Sequence, residues 1–410
     1  MDNRDRGVLR ELARRQLEIA QSPKNKERVE LWKRHNALRG ERPVIHIEID
    51  TFEQEVIQPR LRCEDAQARR MEFELYHHFL NMELFDDDWV VPEYFPVYQA
   101  VDFQLFGHVI GRREAADSRG VKLGHRFEYI VHDLREDFDK LMQPSSLHVY
   151  AEETEAYRAL ADDAFGDILP TRLAAYALYA VPTQMVVHWM GMETMFCSMY
   201  DYPDEFHRMM DAIADEYIAC FHALQAGGCL LPTTGFEPLG QGSLCFTDEL
   251  KADLPLQVSD MWGFMDSQET VGVSPDMFRE FIFPCYERIS RELGLLSYGC
   301  CEPVHPVWDM IGALPNLRKV SISPWCDEEQ MAERLRGSNI IYHRKPSPNY
   351  LGVGERLDEE AFRAHMEKTV KTARGCRLEI TQRDVYTIHH DIDKVRRYVE
   401  IIRETIDRHW

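Results

Sequence analysis

From residue 295 to the C-terminus the chain repeats one unit: a short apolar run, a tight connection, then a longer amphipathic stretch. Residues 295–297, 317–323, 339–343 and 377–381 read as strands, and 304–313, 327–336, 358–373 and 391–407 as helices. Asp327 stands as an N-cap, Gly337 lies just past the end of that helix, and Gly375 stops the next one. A strand joined to the next by a helix and short turns pairs with it in parallel. The repeat therefore predicts a parallel sheet with helices packed outside.

Upstream, residues 43–49, 89–92, 183–188 and 256–262 supply further strands, with a helix at about 64–81. Ser274-Pro275-Asp276 opens another helix, serine at the cap and proline in the first turn. About eight strands alternating with helices favour an α/β fold of the closed (β/α)8 TIM-barrel type. An open doubly wound sheet is the alternative, but no glycine-rich phosphate turn follows the first strand. Residues 8–38 read as charged amphipathic helix, so 1–42 is expected as an N-terminal helical extension packed outside a barrel of 43–410. Residues 95–150 hold short extended pieces, such as 127–131, and read as an excursion from the barrel.

Forty-eight basic against 70 acidic residues leave a formal charge of -22. Phosphate backbones and anionic membrane surfaces need a cationic footprint, so neither nucleic acid nor membrane is an expected partner. The polar N-terminus, the absence of an apolar run near 20 residues and the ten scattered cysteines predict a cytoplasmic protein with reduced thiols.

The chemistry concentrates in Tyr298-Gly299-Cys300-Cys301-Glu302-Pro303-Val304-His305, where an apolar run ends in two thiols, a carboxylate and an imidazole. Cys300, Cys301 and Glu302 are donor types that zinc prefers. Read conservatively, the two cysteines are small buried residues, and alternation lets at most one of a strand pair face a site. His188 closes a predicted strand and should face the barrel mouth, unless it is a hydrogen-bonded core residue. Asp260, inside a predicted strand and followed by Trp262, needs a partner if buried: a substrate, a metal or an arginine. His343 and Lys345 end another strand and suit a substrate carboxylate or a solvated loop. Asp384 follows the last strand as a general base or metal ligand. Barrel sites lie at the C-terminal ends of strands, so Tyr298, Cys300, His188, Asp260, His343 and Asp384 are expected to converge there. The methionines at 190, 192, 195 and 199 read as flexible core packing.

In order and spacing, the landmarks from residue 43 onward resemble the uroporphyrinogen decarboxylase superfamily, which includes zinc-dependent methyltransferases acting on corrinoid proteins or coenzyme M. They are the block from Pro182 to Gly191, Asp266-Ser267-Gln268-Glu269 leading into Ser274-Pro275-Asp276-Met277-Phe278, the cysteine segment and Lys345-Pro346-Ser347-Pro348. The resemblance implies a single (β/α)8 barrel with zinc on a His-x-Cys pair and a late cysteine. Here Tyr298 stands in the histidine position, Cys300 keeps the cysteine, and no thiol occurs near Gln382-Arg383-Asp384. Glu93 lies close to the aspartate that the decarboxylases use. The loop after the first strand, Asp50-Thr51-Phe52-Glu53-Gln54-Glu55, is acidic where that enzyme is arginine-rich. Porphyrinogen decarboxylation is therefore disfavoured.

Two enzymatic classes stay open. One is zinc-dependent methyl transfer, demethylating a small organic substrate or exchanging methyl with a corrinoid carrier. The other is a cofactor-independent lyase or decarboxylase, with a carboxylate and Tyr298 moving protons on a small organic acid. Glu93, Trp262, His343 and Lys345 are the expected substrate contacts. The expected partners are a small molecule, a corrinoid protein and a second copy of the chain. A catalytically inactive binding subunit is the non-enzymatic alternative.

Overall fold

A computed structural model describes residues 1–116 and 122–410. Its centre is a seven-stranded parallel sheet: β1 (Val44–Ile47), β2 (Leu178–Ala180), β3 (Trp262–Met265), β4 (Leu295–Tyr298), β5 (Leu317–Ile322), β6 (Ile341–Arg344) and β7 (Arg377–Gln382), ordered β1-β7-β6-β5-β4-β3-β2. Each of the last four strands pairs with its predecessor, and the last returns to pair with the first, Val44 opposite Glu379. This is the alternation expected from the late repeat. Asp327 caps Glu328–Leu335, Asp358 caps Glu359–Thr372 and Asp391 caps Ile392–His409, each side chain accepting a backbone N–H of the first turn.

Three upstream expectations change. Residues 183–188 belong to a helix, Pro182–Asp201, in which Val186, Trp189 and Met190 are buried at helical spacing. The strand lies just before it, as β2. Residues 256–262 break into a turn of 3-10 helix, Val258–Asp260, and the strand begins only at Trp262. Residues 89–92 form no strand, because side chains take the place of a neighbouring backbone. Asp87 Oδ2 accepts the amide of Ile47 and Asp88 Oδ2 that of Ile45, both at 2.9 Å. Four short strands pair two by two within the excursion: Val101–Gln104 with Ser146–Val149, and Arg112–Ala116 with Lys122–Phe127. Residues 117–121 lie outside the described residues.

The N-terminal segment holds two helices, α1 (Asn3–Ala20) and α2 (Pro23–Asn36). Helix α1 packs against α3 (Ala66–Leu84). The last turn of α2 runs beneath the sheet: Arg318 and Arg377, at the starts of β5 and β7, donate to the carbonyls of Asn36 and Leu38. Strand register places Lys319, Ser321, His343, Glu379, Thr381 and His46 on one face of the sheet. That inner face is lined with polar groups that bond largely to one another, Glu379 Oε1 alone among those named being buried without a hydrogen bond. Lys319 and Glu379 pair at 2.7 Å with neither exposed, and His35 and Ser243 complete the set.

Part of this face is filled by the chain itself. A hairpin of Pro238–Gly240 and Ser243–Leu244 packs along it. His46 Nδ1 donates to the Gly242 carbonyl, Lys319 Nζ to Ser243 Oγ, and Asn36 Nδ2 to the carbonyls of Leu244 and Phe246. Gly242 has φ +75, and a Cβ there would meet Thr381 Cγ2 at 2.5 Å, so only glycine fits. Among the described residues no helix is long and apolar enough to cross a membrane.

Candidate active site

The C-terminal strand ends bring five loops together, those after β1, β3, β4, β6 and β7. Along β3 the inward positions are Trp262, Phe264 and then Asp266, just past the strand. Asp266 is buried and its Oδ1 has no hydrogen-bond partner. Burial, reinforced by Glu302, Cys300 and Glu269, pushes its carboxyl up to about 9 against the opposing pull of Lys345. It is therefore protonated at neutral pH.

After β4, Gly299 at φ +97 turns the chain, and a Cβ there would crowd Ser321 at 3.1 Å. The turn carries Cys300 and Cys301 to the strand ends with their sulfurs 3.6 Å apart. Lys345, the first residue past β6, donates to the Cys300 carbonyl at 3.0 Å and to Gln241 Oε1 at the hairpin tip. Arg383, the first past β7, lies 3.1 Å from Glu48 past β1 and 3.5 Å from Asp384. These charges act on the thiols. Cys301 is lowered to about 7, first by the Cys300 thiol donating to it and then, against burial, by Lys345 and Arg383. Cys300 is raised in turn by that same hydrogen bond and by burial. The pair as a whole gives up one proton near neutral pH, with the charge favoured on Cys301.

Of the expected site residues, Cys300, Cys301, Lys345 and Asp384 share this mouth. His343 sits deeper on the inner face, bound to Thr381 Oγ1 at 2.8 Å, and burial lowers it to about 3, so it is neutral. The convergence expected of the other residues does not occur. Tyr298 points to the outer face, its hydroxyl 2.5 Å from Ser267 Oγ and its ring against Tyr286, because register puts Ser297 inward. His188 lies on the helix that replaced its predicted strand, its ring tilted against Phe127. Asp260 accepts the Gln257 amide before β3 starts, at the opposite end of the sheet from the mouth. Trp262 is fully buried at that same end, donating to the Cys245 carbonyl. Glu93 is exposed beside a surface groove shared with Lys26 and Arg172.

Zinc does not fit these donors. Glu302 spends its two oxygens on backbone amides, of Ser267 at 3.0 Å and Cys300 at 2.8 Å. Among the described residues no three His, Cys, Asp or Glu side chains are grouped to hold a metal ion. Lys345 and Arg383 supply the positive charge that a metal would bring to the thiols.

Asp266, Arg383, Glu48 and Gln241 carried no site role in the sequence reading. The signal for Asp266 and Arg383 was their place one residue past a strand. For Gln241 it was the flanking pair Gly240 and Gly242, a turn able to enter a crowded space.

No family model matches the chain, and no curated protein matches it. Among solved structures, a methyltransferase from Methanosarcina mazei superposes with a TM-score of 0.49 at 11% identity, over 94% of this chain and 98% of that one.

Proposed function

We propose that this chain is an enzyme that removes a methyl group from a small organic acid, with Cys301 as the first acceptor. One observation carries the reading: two adjacent thiols flanked by Lys345 and Arg383, with the protonated Asp266 among the same groups. The cations hold the substrate carboxylate. The Cys301 thiolate attacks the methyl carbon of a methyl ether, the carbon–oxygen bond breaks, and Asp266 gives its proton to the departing oxygen. The products are the free alcohol, S-methyl-Cys301 and an Asp266 carboxylate. An acid held near 9 is well matched to a phenolic leaving oxygen, whose own value is about 10. Turnover requires a second methyl acceptor, for which a corrinoid on a partner protein is the class that the sequence resemblance suggests. Closure of the seven strands into a (β/α)8 barrel of the uroporphyrinogen decarboxylase type belongs to the same proposal, supported by the order of the sequence landmarks.

Asp266 favours a second reading. A protonated carboxyl beside two cations also suits a lyase, in which a carboxylate leaves as carbon dioxide and Asp266 protonates the carbanion left behind. Isotope labelling separates the two. Incubation with a methoxylated aromatic acid carrying a labelled methyl should place the label on Cys301, located by peptide mass spectrometry, and Cys301→Ser should abolish it. Release of carbon dioxide from a Cys300→Ser/Cys301→Ser variant, with no labelled cysteine in the wild type, would overturn methyl transfer in favour of the lyase.

A further inference from the structure

The turn after β4 sets Cys300 Sγ and Cys301 Sγ 3.6 Å apart. A disulfide bond is about 2.05 Å long, so a movement of roughly 1.5 Å would join them. Six of the ten cysteines are buried, whereas these two are both partly exposed at the strand ends. A thiolate beside a protonated thiol, within reach of solvent, suits two-step oxidation, in which one sulfur reacts first and the other resolves it. The Cys300 S–H, Lys345 and Arg383 all favour the thiolate on Cys301, so Cys301 reacts first and Cys300 resolves.

We propose that Cys300 and Cys301 form a redox modification site, closed by hydrogen peroxide into a disulfide between neighbouring residues and reopened by a thiol reductant. The Cys301 sulfur attacks one peroxide oxygen, the O–O bond breaks, and hydroxide leaves and takes up the proton that Cys301 had released. The Cys300 sulfur then attacks the Cys301 sulfenic acid, and its own proton departs with the hydroxyl as a second water. Two thiols lose two electrons and the peroxide gains them.

The fold makes this bond easy to reopen. Consecutive Cα atoms lie about 3.8 Å apart across a trans peptide. That is closer than the roughly 4.4–6.8 Å of an ordinary disulfide, and strain makes such a bond more reducible. The strain falls on the peptide between the two residues, whose carbonyl accepts from Ser321 Oγ at 2.8 Å and from Lys345 Nζ at 3.0 Å. Closing the ring twists this peptide and loosens the anchor of Lys345 as it removes the thiolate. The methyl acceptor and a carboxylate-binding cation are lost together. This consequence for turnover rests on the proposed function, and the disulfide itself does not.

Tryptic peptide 292–318 contains both thiols and no other cysteine. After peroxide treatment of the purified chain it should be lighter by two hydrogens, and dithiothreitol should restore both. In Cys300→Ser the sulfenic acid has no resolving partner, so dimedone should capture it on Cys301, which it should not do in the wild type. If that variant fails to fold, the wild-type masses still decide. A mass unchanged by peroxide, a sulfinic acid on Cys301, or a disulfide from this peptide to another cysteine would each overturn the site. Oxidised wild type should accept no methyl label and recover it after dithiothreitol, and equal labelling of both forms overturns the switch. A reduced protein that takes no label counts against the proposed function, while the masses decide the redox pair separately.

Discussion

Replacing Asp266 with asparagine should make the protein more stable and less active. In the folded state the carboxyl keeps its proton up to about pH 9, whereas in the unfolded chain it loses it near 3.8. Between those values the folded protein binds one more proton than the unfolded one. Stability is therefore complete below pH 3.8 and falls as pH rises through the window. At pH 7 the cost reaches a ceiling of about 4 kcal/mol, at 1.36 kcal/mol per pH unit. Asparagine keeps the shape of the protonated acid and carries no such cost. Urea midpoints measured from pH 4 to 8 should coincide at the acid end and separate as the pH rises, with Asp266→Asn the higher of the two above it. Methyl removal should fall in the same variant, since the proton for the leaving oxygen is gone. A variant less stable than wild type at pH 7, with an unchanged pH slope, would refute the protonated state and with it the role of Asp266 as acid.

Alkylation of Cys301 by iodoacetamide should titrate with a midpoint near pH 7, and Cys300→Ser or Lys345→Met should move that midpoint upward. Peptide mapping that finds Cys300 modified first would contradict the assignment. Lys319→Met leaves Glu379 buried without its ammonium and should cost about 3–5 kcal/mol in chemical denaturation, most of it recovered when Glu379→Leu is added. Gly242→Ala forces a Cβ against Thr381 at a positive φ and should destabilise by about 1–3 kcal/mol. An unchanged melting temperature would show that the hairpin seats loosely.

The sheet was legible in the sequence where its strands are short, bounded by caps and glycines, and separated by helices of ordinary length. It was illegible at 183–188, where an apolar run of that length fits a helix as well as a strand and only Pro182 marked the start. Tyr298 was misplaced for a related reason. In a strand buried on both faces apolar residues occupy every position, so alternation carries no phase, and Ser297 alone marked the inner side. The hairpin at 238–244 has no periodicity to read, and its partners lie as far off as Asn36 and Lys319. The site was half legible. The thiols and Lys345 stand out by type, but Asp266 owes its unusual proton to burial and to neighbours from two other strand ends as well as its own loop, which no local pattern records.

The hairpin on the inner face imposes a chronology on the growing chain. Its carbonyls at Leu244 and Phe246 are met by Asn36, 208 and 210 residues earlier, so those two segments can find each other long before β5, β6 and β7 leave the ribosome. Lys319 and Thr381, which meet the same hairpin, belong to strands synthesised later. The first 42 residues supply that early fastening through the Asn36 side chain. A chain begun at residue 43 would present the late strands with an unfastened hairpin, and it should collect in inclusion bodies even though every strand of the sheet is present.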